Sequence, residues 1–291
     1  MRQLTDHLFA ETSYQWANVG AAVTDKGIIL IDSPVRPPEC RHWQEVVRKL
    51  SPLGIRYLIS TDFHGDHVTG AAFIEGVTFI TPQLVYEEIT RVKGKHPFSK
   101  EIFVESLRDQ GHPDEAAEIA AAPVPVPEIC FEESLILHLS PLTFEIRRLG
   151  GHTPACSVVY VPEERVLFGS DVVMDTPCPG MRDASVNQWL KALEWAEGLP
   201  IEHIVPGHGE VCGKELVGRL KGYFSELREV MRRLVQKGLP KAEAVKDGSF
   251  EKFFWVETSR GAYWVEQRKD TFRRGLETLY DEVKTDEGGA R

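Results

Sequence analysis

Short apolar runs that end in turn residues recur along the chain, separated by segments whose apolar positions follow helical spacing. Residues 1–36 read as β structure: an apolar run over 18–23, a hairpin turn at Asp25-Lys26-Gly27, and a strand over 28–31 that leaves through Asp32-Ser33-Pro34. Pro37 opens a helix with Trp43, Val46, Val47 and Leu50 on one face, stopped by Pro52 and Gly54. A buried strand over 55–59 follows, then a short helical piece after Gly70, a strand over 77–81 and a helix from Pro82 to about residue 91. Strand and helix alternate, which predicts an α/β fold.

Residues 94–127 interrupt this rhythm. They are polar, with helices expected over 98–109 and 114–122 and an extended Pro123-Val124-Pro125-Val126-Pro127. The stretch reads as an insertion, either a lid over a pocket or a packed helical decoration. A hairpin around Ser140-Pro141 pairs 135–139 with 142–148, and strands follow at 157–161, 165–169 and 204–206. Between the last two lies an amphipathic helix over 186–196 carrying Trp189, Leu190, Leu193 and Trp195. Residues 1–237 are expected to form the main domain, closing with a helix over 214–237. Residues 238–291 form a helical extension, with a last helix over 271–283 and a disordered tail over 285–291. The aromatic groups Phe253-Phe254-Trp255 and Tyr263-Trp264 are expected to pack that extension onto the core.

The chemistry concentrates where the 55–59 strand ends. Asp62, His64, Asp66 and His67 fall within six positions, and imidazole and carboxylate are the usual ligands of divalent first-row metals. Desolvating such a crowd of polar groups is costly unless a cation or a hydrogen-bond network uses them. The same order of strand, glycine or tight turn, then His or Asp, recurs at His152, Asp171 and His208. Each of these alone reads as an ordinary turn residue; as a set behind the first cluster they read as ligands. Asp32, Tyr14, Trp16 and Asp175 lie near these loops and are weaker candidates for support or substrate contact.

Composition narrows the classes. A 291-residue chain with 42% hydrophobic residues builds an ordinary core, and a net charge of -10 argues against binding a phosphate backbone. Five scattered cysteines without a C-x-x-C pair suit reduced thiols. No stretch approaches a membrane span or a signal-peptide core, so a cytoplasmic protein acting on a small molecule, with neither nucleic acid nor membrane as partner, is expected. An aromatic C-terminal surface is compatible with a homodimer.

With these residues in order, the chain resembles the metallo-β-lactamase fold superfamily: Asp32, then Asp62-Phe63-His64-Gly65-Asp66-His67, Gly151-His152-Thr153-Pro154, Gly169-Ser170-Asp171 and Pro206-Gly207-His208-Gly209. The resemblance spans about residues 7–210 and implies a four-layer αββα sandwich with the metal site between the sheets at one edge. It implies one metal on Asp62, His64 and His152 and a second on Asp66, His67 and His208, with Asp171 bridging. Zinc is the first expectation, with iron or manganese as alternatives.

One position departs from the pattern: Asp62 stands where the family's cluster usually begins with His. Three carboxylates against two divalent ions leave one net positive charge, which a bridging hydroxide cancels. Such a centre is a weaker Lewis acid, more tolerant of harder metals, and its first group resembles the facial triad of non-haem iron sites. The implied activity is hydrolysis of a small ester, thioester or lactone by a metal-bound hydroxide, with Asp66 the candidate to protonate the leaving group. The appended helices loosely resemble the glyoxalase II arrangement in architecture alone. An iron redox enzyme on the same fold, and a non-catalytic metal-binding protein, are the rival readings.

Overall fold

Two sheets stack face to face and helices cover both outer faces. A computed structural model describes residues 1–91, 100–256 and 262–289. The first sheet runs β1 (Arg2–Gln3), β2 (Leu8–Glu11), β3 (Val19–Thr24), β4 (Gly27–Ile31), β5 (Ile55–Ile59), β6 (Thr78–Pro82) and β7 (Ile129–Phe131), in that spatial order. Strands β1 to β4 pair antiparallel and β4 to β7 pair parallel. Their connections carry α1 (Pro37–Arg48), α2 (Gly65–Val68), a 3-10 turn at Thr69–Phe73, α3 (Gln83–Thr90), α4 (Lys100–Asp109) and α5 (Pro113–Ala121).

The second sheet holds β8 (Ser134–Leu139), β9 (Leu142–Arg148), β10 (Ser157–Val161), β11 (Val166–Ser170) and β12 (His203–Pro206), ordered β12-β11-β10-β9-β8. Only β11 and β12 pair parallel there, joined through α6 (Val186–Gly198). The C-terminal part forms α7 (Glu215–Gln236), α8 (Lys241–Ala244), a 3-10 turn at Gly248–Phe253 and α9 (Ala262–Gly289).

Side-chain alternation explains the layers. Ile29, Ile31, Ile59 and Ile80 meet Phe144, Ile146, Val159 and Phe168 between the sheets. The alternate residues Ile28, Leu30 and Leu58 meet Trp43 and Val47 of α1 and Val85 of α3. On the far side, Val158, Tyr160 and Leu167 meet Trp189 of α6, Phe224 of α7 and Leu276 of α9. Strand β4 is buried at every position, as a strand covered on both faces requires, and its sequence is accordingly apolar throughout. The expected αββα sandwich is the observed fold.

Some local expectations differ. Helix α2 starts at Gly65, five residues before Gly70, so Asp66 and His67 sit on its first turn. The tail expected to be disordered is helical to Gly289, and the last helix begins before residue 271. Phe98, residues 290–291 and the side chains of Tyr263 and Trp264 lie outside the described residues. Phe253 is buried and Phe254 half-buried against this layer, whereas Trp255 is exposed.

The layers bring the C-terminal ends of β4, β5, β9, β11 and β12 to one edge. Hydrogen bonds tie the two sheets there: Ser157 N donates to Thr61 O (2.8 Å), Asn18 N to Gly207 O (2.8 Å), and Asn18 Nδ2 to Pro206 O (2.8 Å) and Gly209 O (2.7 Å). Carboxyl ends of parallel strands are where α/β folds place their sites.

Candidate metal centre

Every ligand candidate lies at that edge. Asp62 and His64 follow β5, Asp66 and His67 open α2, His152 follows β9, Asp171 follows β11 and His208 follows β12. Asp62, His64 and His152 form one group and Asp66, His67 and His208 another, each with ligand atoms within 4.8 Å of one another. Asp171 lies between the groups: its Oδ2 is 3.2 Å from His152 Nε2, and its Oδ1 is 3.4 Å from both His67 Nε2 and His208 Nε2. Gly207 makes room for it, since a Cβ there would stand 2.0 Å from Asp171 Oδ1.

The imidazoles share one design. His64 Nε2 faces Asp183 Oδ2 (3.0 Å), His67 Nδ1 faces Asp32 Oδ2 (2.9 Å), His152 Nδ1 faces Gly180 O (2.9 Å) and His208 Nδ1 faces Trp16 O (3.2 Å). The partners of His67, His152 and His208 are acceptors, and at His64 Nε2 the Asp183 carboxylate (3.0 Å) is nearer than the donor Arg182 Nη2 (3.4 Å), so we assign the ring proton to the outward nitrogen in all four. The inward nitrogens then carry lone pairs. His64 Nδ1 and His152 Nε2 are 2.9 Å apart, and His208 Nε2 is 3.3 Å from Asp66 Oδ2. Acceptors facing acceptors need a proton or a cation between them. Among the described residues His67 Nε2 and Asp171 Oδ1 are buried without a hydrogen-bond partner, an arrangement that a bound cation would satisfy.

Charge balance points the same way. Burial pushes Asp171 and Asp66 upward, but the surrounding imidazoles outweigh it and hold Asp171 well below, and Asp66 below, the usual carboxylate range. Burial pushes His208 down, but Asp171 and Asp66 carry it up to about 10; His67 is raised well above its ordinary value, chiefly by Asp32 and Asp171 against burial. Burial instead lowers His152, helped by His64 and opposed by Asp171. The carboxylates thus stay ionised and draw positive charge, which divalent cations supply more compactly than protons. The donor set of imidazole and carboxylate fits zinc, and its oxygen share admits iron or manganese.

Comparison with known proteins decides the family. A sequence model of the metallo-beta-lactamase superfamily matches residues 17–208. The chain belongs to the metallo-beta-lactamase superfamily. Among curated relatives, a metallo-beta-lactamase type 2 from Bacteroides fragilis is 24% identical over 241 residues, covering 78% of this chain and 86% of the relative. A linear primary-alkylsulfatase from a Pseudomonas species is 23% identical over 253 residues, covering 76% of this chain, which spans about half (48%) of that enzyme. A metallo-beta-lactamase structure from Pontibacter korlensis superposes with a TM-score of 0.60 at 18% identity, covering 77% of this chain and 97% of that one.

Asp62 closes the first group just after β5. It is fully buried, and its carboxylate accepts from the Thr153 hydroxyl and from His64 N (3.1 Å). Among the weaker candidates, Asp32 supports His67 directly and Trp16 supports His208 through its carbonyl. Asp175 reaches the site by its backbone, N–H to His208 O (2.9 Å), while its carboxylate pairs with Arg219. Tyr14 turns to His42 Nδ1 (2.7 Å) on α1. Sequence reading missed Asp183, the Gly180 carbonyl and Arg182, whose Nη2 lies 3.4 Å from His64 Nε2. No periodicity marks them. The one available signal was that 175–183 immediately follows the Asp171 loop.

Among the described residues no helix is long and apolar enough to cross a membrane.

Proposed function

We propose that the chain is a metal-dependent hydrolase that acts on a small ester, thioester or lactone, with Asp62, His64 and His152 holding one cation, Asp66, His67 and His208 a second, and Asp171 between them. The supporting observation is the lone-pair geometry: four imidazoles each tie one nitrogen to an outer acceptor and turn the other toward three carboxylates at one edge. Bound divalent cations, zinc in this proposal, supply Lewis acidity and make a water nucleophilic at neutral pH.

The chain's own residues supply orientation and proton handling. Asp32, Asp183 and the carbonyls of Gly180 and Trp16 fix which ring nitrogen points inward. Asp66, part-buried at the start of α2, is the candidate to deliver a proton to the leaving group. A third carboxylate in place of an imidazole lowers the positive charge of the centre. That favours neutral acyl carbonyls over substrates gripped by their anionic groups. The relative named as an alkylsulfatase supports hydrolysis in general on this fold.

A second reading, non-haem iron redox chemistry, is favoured by the two-imidazole, one-carboxylate composition of the first group. One experiment separates the two. Protein from zinc-, manganese- and iron-supplied cultures would be analysed for metal content and assayed on esters, thioesters, lactones, a β-lactam and an alkyl sulfate. Zinc-loaded protein that turns over an acyl ester and stops on chelation supports the hydrolase. Iron retention with a visible spectrum and no acyl turnover overturns it in favour of the redox reading.

A further inference from the structure

Helix α9 lies beyond the family-matched residues 17–208, yet it is fastened to the segment that orients both imidazoles of the first group. We infer that α9, through Arg268 and Gly275, is a positioning element of the metal centre. It fixes the course of residues 175–183, and that segment holds His64 and His152. The inference rests on reading Asp62, His64 and His152 as a metal group.

The 175–183 segment touches the centre three times. Gly180 O accepts from His152 Nδ1 (2.9 Å), Asp183 Oδ2 from His64 Nε2 (3.0 Å), and Asp175 N donates to His208 O (2.9 Å). Its own backbone gives it little shape. Among the described residues, no backbone N–H from Thr176 to Asp183 donates to another backbone carbonyl, and Pro177 and Pro179 have none to give. A stretch with so few internal hydrogen bonds takes its conformation from what packs on it.

What packs on it is one face of α9. Arg268 Nη2 donates to Cys178 O, and Phe272 and Leu276 share a buried cluster with Cys178 and Met181. A Cβ at Gly275 would stand 2.3 Å from Met181 Cβ and 2.9 Å from Met181 O, so helix and segment meet backbone to backbone. Positions 268, 272, 275 and 276 follow the i, i+4, i+7, i+8 spacing of a single helix face. A Cβ at Gly180 would lie 3.3 Å from His152 Cε1 and 3.7 Å from Arg268 Nη1. Guanidinium, Gly180 and imidazole are therefore in sequence, from α9 through the segment to the ligand.

Gly275 sharpens the distinction from ordinary packing. Alanine is the better helix former, so Gly275→Ala strengthens α9 locally while pressing on Met181. If the contact were packing alone, the folded variant would bind metal as the parent does.

The test uses the full chain and five forms: wild type, Gly275→Ala, Arg268→Ala, Arg268→Lys and, as control, Gly222→Ala on α7, where a Cβ meets nothing within 4 Å. Each is titrated with zinc against a chromophoric chelator, and histidine-ring nitrogen spectra are recorded on the metal-free protein. Gly275→Ala and Arg268→Ala are expected to weaken one zinc equivalent by about 10–100-fold, the loss typical of outer support, and leave the other unchanged. The ring signals of His64 and His152 move while those of His67 stay. Arg268→Lys recovers part of the loss, and Gly222→Ala matches wild type. Folded variants with wild-type affinity for both equivalents and unmoved His64 and His152 signals overturn the inference. A wild-type chain that takes up no zinc sinks the underlying metal reading instead, and the metal-free ring spectra then decide the positioning claim alone.

Discussion

The hydroxyl of Thr153 stands 3.0 Å from each carboxylate oxygen of Asp62. The same oxygen accepts the N–H groups of Ala155 (3.1 Å) and Cys156 (3.0 Å), so both its lone pairs are committed and its proton has only Asp62 to go to. The turn after β9 therefore orients Asp62. Thr153→Val keeps the shape and removes both the donor to Asp62 and the acceptor for the Ala155 and Cys156 N–H groups, whereas Thr153→Ser keeps both. The valine variant is expected to weaken one metal equivalent by about 10–100-fold, the range for lost outer-sphere partners. Thr153→Ser should restore most of it. Competition titration with zinc reads both, and wild-type affinity in the valine variant would count against a ligand role for Asp62.

Asp32 plays the matching part for the second group. Its Oδ1 accepts Thr61 N (2.8 Å), and its Oδ2 accepts Thr61 Oγ1 (2.7 Å) and His67 Nδ1 (2.9 Å). It holds a left-handed backbone with φ of 56°, a conformation asparagine also tolerates. Asp32→Asn thus preserves the turn but replaces one acceptor oxygen with a donor. A buried N–H or O–H then loses its partner, costing about 1–3 kcal/mol in urea unfolding. Zinc titration should show the equivalent served by His67 weakened, the one served by His64 spared. An unchanged denaturation midpoint would refute the assigned hydrogen bonds.

These two residues mark how far the chain could be read in advance. The candidate ligand positions were legible as a cluster because His and Asp are chemically distinctive and stand at strand ends, where apolar runs break into turns. The α/β character was legible because β4, β5, β10 and β11 are apolar runs of strand length alternating with helical spacing, whereas the four-layer sandwich followed from the family resemblance. Asp183 and the carbonyls of Gly180 and Trp16 were not legible, since they meet their imidazoles through the course of loops that follow no period. A backbone carbonyl has no residue-type signature. Strand β7 escaped notice because three residues after a proline-rich stretch show no alternation. The helical end of α9 was not legible because its composition, TDEGG, lacks apolar spacing; packing of Leu279, Tyr280 and Val283 against the core carries the helix that far.

The insertion offers a pH test away from the metal. Arg36 forks onto Glu115 of α5, Nε to Oε2 at 2.7 Å and Nη2 to Oε1 at 2.6 Å. That hydrogen-bonded pair, outweighing partial burial, holds the Glu115 carboxyl below its ordinary value. A carboxylate depressed on folding adds stability above its unfolded value of about 4.5, and the contribution fades as pH falls through the lower folded value. Amide exchange in α4 and α5 should therefore quicken below about pH 4.5 relative to β4. Glu115→Gln is expected to raise exchange at neutral pH and flatten the pH dependence. The same acid sensitivity in the glutamine variant would place its origin elsewhere.

Phe103 of α4 decides between a lid and a packed element. Its ring, 7% exposed, meets Trp16 edge to face with centroids 5.1 Å apart. It also covers Gly65, where a Cβ would stand 2.5 Å from Phe103 Cε2. Trp16 holds φ of 78°, unusual for a tryptophan, and its carbonyl accepts from His208 Nδ1. One ring thus braces the turn that carries Asp66 and His67 and the loop that orients His208. With Val104, Leu107 and Ile119 it forms a small core of its own. Phe103→Ala should cost about 3–5 kcal/mol of stability, the usual range for emptying a buried aromatic position. It should also weaken the zinc equivalent served by His208, because Trp16 loses its support. A lid would respond differently, with altered KM or product release, an unchanged melting temperature and intact metal affinity. Calorimetry and zinc titration on Phe103→Ala and Phe103→Leu separate the two, since leucine refills much of the volume and should restore affinity along with stability.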